Sequence, residues 1–370
     1  MSWVYGILCL VFLIIFHETG HLVAAKMCGV KVESFSVGFG PVLLHKTIGG
    51  TDYRLSLIPL GGYCGLKGEK DFQKALDEKL SKIEGEKDSL YGIHPLKRAF
   101  IGFNGPFFNI IIAVLCFFMI NLIGYEYKTT TNHILIPDSS IEGVVSVAKD
   151  AGLQDGDKII AINNKEVLYF DDIMSGIGQH PDEDVLLKIE RDGKVFELTV
   201  HTVLDKKTGT GKIGITNDLS KIITVHTPKY NVFTAFGKGI LDTGEMIGLT
   251  YKSIKILFMG IDLKNSVRGP VSTTDMLGSS IQEGFGISAK IGFINLFQFV
   301  ALISVSLGIM NLLPIPILDG GLILIALIET IFRRKIKPSI QYYIQFIGLA
   351  FVLALFLLGL YGDISYFINK

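Results

Sequence analysis

The sequence predicts a membrane protein of four transmembrane helices, with a membrane-associated β-hairpin element between the first two and an extracytoplasmic α+β module between the second and third. Three observations carry this. Of 370 residues 49% are hydrophobic and the mean hydropathy is +0.45, too oily for an ordinary soluble enzyme. Four segments, 2–25, 99–125, 291–328 and 340–362, are long and apolar enough to span a bilayer, which takes about 20 residues. Two polar stretches alternate apolar and polar residues around glycine turns, as strands do.

The first span holds one formal charge, Glu18, within Phe16-His17-Glu18-Thr19-Gly20-His21. Residues four apart on a helix share a face, so His17 and His21 can offer two nitrogens to one metal ion, with Glu18 beside them. In HExxH sites the histidines bind zinc, zinc acidifies its water, and the glutamate takes the proton as that water attacks a carbonyl. The segment lacks the basic leader of a signal peptide and is read as a retained span.

Between the first two spans, 30–37 and 52–57 show strand alternation, separated by a turn at Gly49-Gly50. Residues 71–88 are highly charged without a sharp apolar pattern and read as a solvated helix or mobile insert. The second span, 99–125, has no charge.

The third apolar stretch, 291–328, would be about 57 Å long as one helix, against roughly 30 Å of hydrocarbon. It breaks where Pro314 and Pro316 each remove a backbone donor. Asp319 follows that break. An aspartate inside a span costs on the order of 3 kcal/mol and marks function by default. Counted along the helix from Glu329 it lies about 15 Å deep, while His21 and His17 lie about 8 to 14 Å from Lys26 on the same side. Two histidines, a carboxylate and a water form the open tetrahedral set of catalytic zinc. An aspartate capping the restarted helix is the plainer alternative.

Lysine and arginine set the orientation. The connection 26–98 carries 12 basic residues, and Arg333, Arg334, Lys335 and Lys337 follow the third span. These loops are expected in the cytosol, with both termini and the middle segment outside. Balanced charge, 35 basic against 35 acidic residues, offers no footprint for nucleic acid. Cys9, Cys28, Cys64 and Cys116 form no CxxC pair and read as small apolar fillers. His45, His94, His133, His180, His201 and His226 have no partners at metal spacing.

His17 through His21, Gly105-Pro106-Phe107-Phe108-Asn109 and Asn311 through Gly320 resemble the HExxH, GPxxN and NxxPxPxLDG signatures of the site-2 protease family. Their order and placement in spans match, and the similarity runs nearly the whole chain. The resemblance implies zinc-dependent hydrolysis of peptide bonds within the membrane. By position it makes His17, His21 and Asp319 zinc ligands, Glu18 the base, and Asn109 and Asn311 residues lining the site. An amide can donate to a developing oxyanion or hold a substrate carbonyl; an interhelical hydrogen bond is the alternative. Residues 36–41 resemble the hallmark of a β-rich element that dips toward the active site, where a strand edge could hold an unwound substrate.

In the middle segment, Ile141-Glu142-Gly143-Val144, residues 151–163 and an Asp192-Gly193 hairpin resemble a PDZ domain, a fold that captures extended peptides along a strand edge. Ala148-Lys149-Asp150 departs from the serine-proline-alanine run typical there. The likeness is to the PDZ-containing bacterial branch, that of the sigma-E regulator protease, and places the chain as a multi-pass protein of the bacterial inner membrane. Residues 231–259 suit an amphipathic helix on the outer membrane face, with packing into the core as the alternative. Arg268-Gly269-Pro270-Val271 resembles a loop that precedes the catalytic span.

The expected organisation is 1–29 first span, 30–98 hairpin element and charged insert, 99–125 second span, 126–205 PDZ domain, 206–290 linker with amphipathic helix, 291–332 broken third span and 340–362 fourth span. The expected function is cleavage of single-span membrane proteins, such as an anti-sigma factor or a signal peptide remnant, with the PDZ domain as an outer filter. Two other classes are a tethered PDZ scaffold, which predicts a damaged motif, and a metal transporter, which predicts repeated metal residues along a path. Here the motif is intact and each ligand occurs once.

Overall fold

The computed structural model describes residues 2–137, 147–257, 259 and 269–368, and its contacts separate two units: 1–123 with 230–247 and 268–370, and 124–229 with 248–267. In the first unit, α1 (Ser2–Cys28) ends in a Schellman motif. Gly29 takes φ 79°, its amide donates to Lys26 and the Val30 amide donates to Ala25. The chain is thereby turned into β1 (Val32–Ile48), which pairs with β2 (Thr51–Leu66) across Gly49-Gly50. Both glycines have positive φ, as a two-residue turn between right-twisted strands requires. The strands bend, so that Phe35 faces both Tyr53 and Cys64.

The charged insert is better anchored than its composition suggests. Only Glu69–Asp77 is helical, as α2, and the irregular chain after it buries Ile83 and Ser89. Lys67 holds Glu86 and Asp88 at 2.7 Å each, and Lys335 donates to the carbonyls of Ile83 and Tyr91. α3 (Pro95–Ile123) then forms the second apolar helix and packs on α1.

α6 (Val232–Leu257), which follows α4 (Val147–Asp150) and α5 (Phe170–Gly178) of the second unit, covers most of the stretch 231–259 as a helix, and its first half packs on the flank of α3. Asn121 donates to Asp242 at 2.7 Å, and a Cβ on Gly239 would lie 2.9 Å from the Val114 carbonyl. The stretch at 268–271 is no loop beyond Gly269: Pro270 opens α7 (Pro270–Ile287), and Arg268 lies outside the described residues. Asp363 caps that helix, accepting from the amides of Val271 and Ser272. α7 packs on α1 and on α8 (Ala289–Leu312), so part of the expected linker belongs to the helical core.

After α8 the two prolines interrupt the helix over 313–318, and α9 (Asp319–Phe332) and α10 (Pro338–Ile368) follow. Four helices among the described residues, Val4–Cys28, Pro95–Ile123, Ala289–Leu312 and Pro338–Ile368, are long and apolar enough to cross a membrane. Arg98 at the start of α3 pairs with Glu329 near the end of α9, both almost wholly buried, and Glu329 also accepts from the Ile336 amide at 2.8 Å.

In the second unit, β5 (Lys158–Ile162), β6 (Lys165–Glu166), β7 (Asp184–Arg191) and β8 (Lys194–His201) form a sheet in the order β6-β5-β7-β8. Asp192 and Gly193, both at positive φ, turn β7 into β8. α4 (Val147–Asp150) and α5 (Phe170–Gly178) close a core of Ala148, Ile159, Ile173, Leu187 and Ile189. Ala148 is fully buried there, which accounts for the small residue at that position. Residues 141–144 lie outside the described residues.

The unit does not end at residue 205. β3 (Glu126–Thr130) pairs with β12 (Ile222–His226), and β4 (Ile134–Leu135) with β11 (Thr216–Asn217). β9 (Val203–Leu204) pairs with β10 (Gly211–Lys212), so the region expected to be linker supplies returning strands as far as His226.

Two outcomes are expected. Arg98→Met leaves Glu329 buried and unpaired and should destabilise the chain in detergent by about 3–5 kcal/mol, whereas Arg98→Met with Glu329→Met should recover most of the loss, read by denaturant unfolding. In the 205–212 turn, the Lys212 ammonium, helped by the Lys207 amide and the Thr208 hydroxyl, holds the Asp205 carboxyl at about 2. Because that carboxyl is lowered on folding, its contribution is present above about pH 4 and lost as pH falls toward 2. Amide exchange at Gly209, which donates to the Asp205 carbonyl, should accelerate across that window relative to its unstructured rate.

Candidate metal centre

α1, α3 and α9 bring together every polar residue that the motifs single out in the first two of them, and Asp319 from the third. His17 Nε2 lies 3.2 Å from Asp319 Oδ2, His21 Nε2 lies 3.3 Å from Asp319 Oδ1, and the two Nε2 atoms are 3.2 Å apart. A tetrahedral zinc with bonds near 2.05 Å separates its ligand atoms by about 3.3 Å; the two Nε2 atoms lie at that spacing, and each faces a different Asp319 oxygen at a similar distance. Among the described residues this is the one group of three that could hold a metal ion. His45, His180, His201 and His226 instead face nearby carboxylates in pairs.

The ring of His21 is fixed from behind. Its Nδ1 lies 2.9 Å from the Ile101 carbonyl, which can only accept, so Nδ1 carries the hydrogen and Nε2 presents its lone pair to the centre. His17 Nδ1 lies 3.1 Å from Asn109 Nδ2.

Glycine makes the approach of α1 and α3 possible. A Cβ on Gly20 would lie 2.3 Å from the Asn104 carbonyl, so the two backbones touch. On Gly105 it would lie 2.2 Å from His21 Nε2 and 2.9 Å from His17 Cε1, inside the space the imidazoles occupy. Motif spacing alone does not reveal this role of the glycine in Gly105-Pro106-Phe107-Phe108-Asn109.

Asp319 is delivered by the proline break. The Ile315 amide donates to Leu313 and the Leu318 amide to Ile315, folding 313–318 over the first turn of α9. Ile317 takes φ 86°, where a β-branched residue pays of order 1–3 kcal/mol, directly before the carboxylate-bearing turn.

Glu18 sits between its two histidines in sequence and lines a cavity of about 590 Å³ with Phe39, Tyr63, Asn109, Asn311 and Asp319. That size falls in the usual range for ligand pockets. β2 supplies one wall: a Cβ on Gly62 would lie 3.5 Å from Glu18 Cγ, and Phe39 stacks on Tyr63. Hence all six residues singled out by sequence, His17, Glu18, His21, Asn109, Asn311 and Asp319, line one cavity.

The description of peptidase family M50 matches residues 5–355. A protein of Treponema pallidum (strain Nichols), provisionally named a zinc metalloprotease, is 36% identical over 98% of both chains. Proteins of Campylobacter jejuni and Helicobacter pylori (strain J99), named in the same way, are 35% and 34% identical over 98% of this chain and 93% and 99% of theirs.

Gly105→Ala is expected to displace both imidazoles. Zinc carried through purification, measured by elemental analysis, should fall from about one per chain to near zero, while the helix content read by circular dichroism stays unchanged.

Proposed function

The chain belongs to peptidase family M50, the site-2 protease family of zinc metalloproteases, and from that premise we propose that it hydrolyses peptide bonds within the membrane-spanning segments of single-span proteins. The observation that carries this is the trio of His17, His21 and Asp319, with ligand atoms close enough to share one metal ion and Glu18 beside it, reached from spans apolar enough to lie in lipid. These three residues are the zinc ligands. Bound zinc supplies a Lewis acid that acidifies a water and polarises a peptide carbonyl.

Glu18 takes the proton of the attacking water and passes it to the leaving amide nitrogen. Asn311, on the cavity wall at the end of α8, donates to the substrate carbonyl oxygen. The Gly61–Cys64 part of β2 offers backbone to a substrate stretch that has lost its helix, because a helical substrate keeps its amides paired and its carbonyls shielded. The sheet β6-β5-β7-β8 with α5 supports reading the second unit as a PDZ domain that takes an extended peptide. By the distribution of basic residues, both termini and that unit face outward across a bacterial inner membrane, with the active site toward the cytosol.

Glu18→Gln removes the base and leaves the ligands. With a tagged single-span substrate in reconstituted vesicles, it should retain zinc and lose at least about 100-fold in cleavage rate. Undiminished cleavage would exclude Glu18 as the base, and zinc flux across the vesicle without proteolysis would exclude the protease reading.

A further inference from the structure

We infer that Asn109 is a positioning residue whose side-chain oxygen accepts a hydrogen bond from His17 Nδ1–H, fixing the tautomer in which Nε2 faces the metal. This rests on the assignment of His17 as a zinc ligand. A histidine that binds through Nε2 carries its hydrogen on Nδ1 and needs an acceptor there. The Asn109 amide lies 3.1 Å from His17 Nδ1, fully buried, with Nδ2 placed toward the ring and Oδ1 buried without a hydrogen-bond partner. In that orientation two donors would face each other while an acceptor stays unused.

The amide oxygen and nitrogen occupy nearly interchangeable positions, so a half-turn about the Cβ–Cγ bond exchanges them. Either orientation leaves one end of the amide unpaired, so that cost is common to both. What differs is whether the His17 N–H meets an acceptor, and only the turned amide provides one.

The rest of Asn109 is held for this task. Its backbone carbonyl accepts from Ser304 Oγ at 2.8 Å, and a Cβ on Gly308 would lie 3.5 Å from its own Cβ, so α8 supports it from the far side. His21 already shows the same arrangement, with Ile101 of the same helix behind its Nδ1. α3 thus supplies the outer partner of both histidines, one from its backbone and one from a side chain.

The experiment uses the full chain in detergent. Zinc affinity is measured by competition with a chromophoric chelator, and the melting temperature of the zinc-free protein is recorded alongside. Asn109→Asp keeps an acceptor and removes the amide donors; Asn109→Leu removes both. Asn109→Leu should bind zinc about 10–100-fold more weakly at an unchanged zinc-free melting temperature, and Asn109→Asp should bind as tightly as the natural protein. Wild-type affinity in Asn109→Leu overturns the inference. So does a loss of affinity in Asn109→Asp, or cleavage lost in Asn109→Asp with zinc intact, which would make the amide a donor to substrate. If Asn109→Leu fails to fold, Asn109→Asp alone decides. If the natural chain itself holds no zinc, the failure lies in the assignment of His17 and not in that of Asn109.

Discussion

Polar side chains in an apolar slab must find one another, and they can do so only where helix backbones come nearly into contact. Everything at the centre of this protein follows from that requirement. Gly20 against the Asn104 carbonyl and Gly105 against both imidazoles bring α1 and α3 to the distance at which His17 and His21 can share a centre. Gly320, whose Cβ would lie 2.1 Å from the Leu313 carbonyl, lets the proline-broken segment fold over the first turn of α9 and set Asp319 opposite them. A side chain at any of these positions would push apart groups that the centre needs side by side.

The reactive part of the molecule was legible because it violates its surroundings. Glu18 is alone in its apolar segment, Asp319 is alone in another, and each departure from lipid-compatible sequence has few explanations. Helical spacing supplied the pairing of His17 with His21, and two prolines located the break before Asp319. The glycine turns of both hairpins were equally plain, since positive φ at 49–50 and at Gly193 suits glycine.

What sequence concealed is of another kind. Arg98 reads as one more charge at the end of a basic loop and Glu329 as the end of a helix, and nothing local says that they meet in the interior. β11 and β12 are two and five residues long and gain their stability from partners some 80 to 100 residues earlier, so their own pattern is too short to read. α7 carries Asp275 and Glu283 and so looks like linker, yet it lies against α1 and α8 and is capped by a carboxylate from α10. Burial of these elements depends on chain that is distant in sequence.

The Arg98–Glu329 pair also imposes an order of assembly. The partners are 231 residues apart, which at ~5–20 residues per second is on the order of ten to fifty seconds of synthesis. During that interval the counter-ion of Arg98 is not yet made, and His17 and His21, about 300 residues before Asp319, wait longer still. The ribosome therefore delivers a half-built centre, which α9 completes when it brings Asp319 to the two histidines.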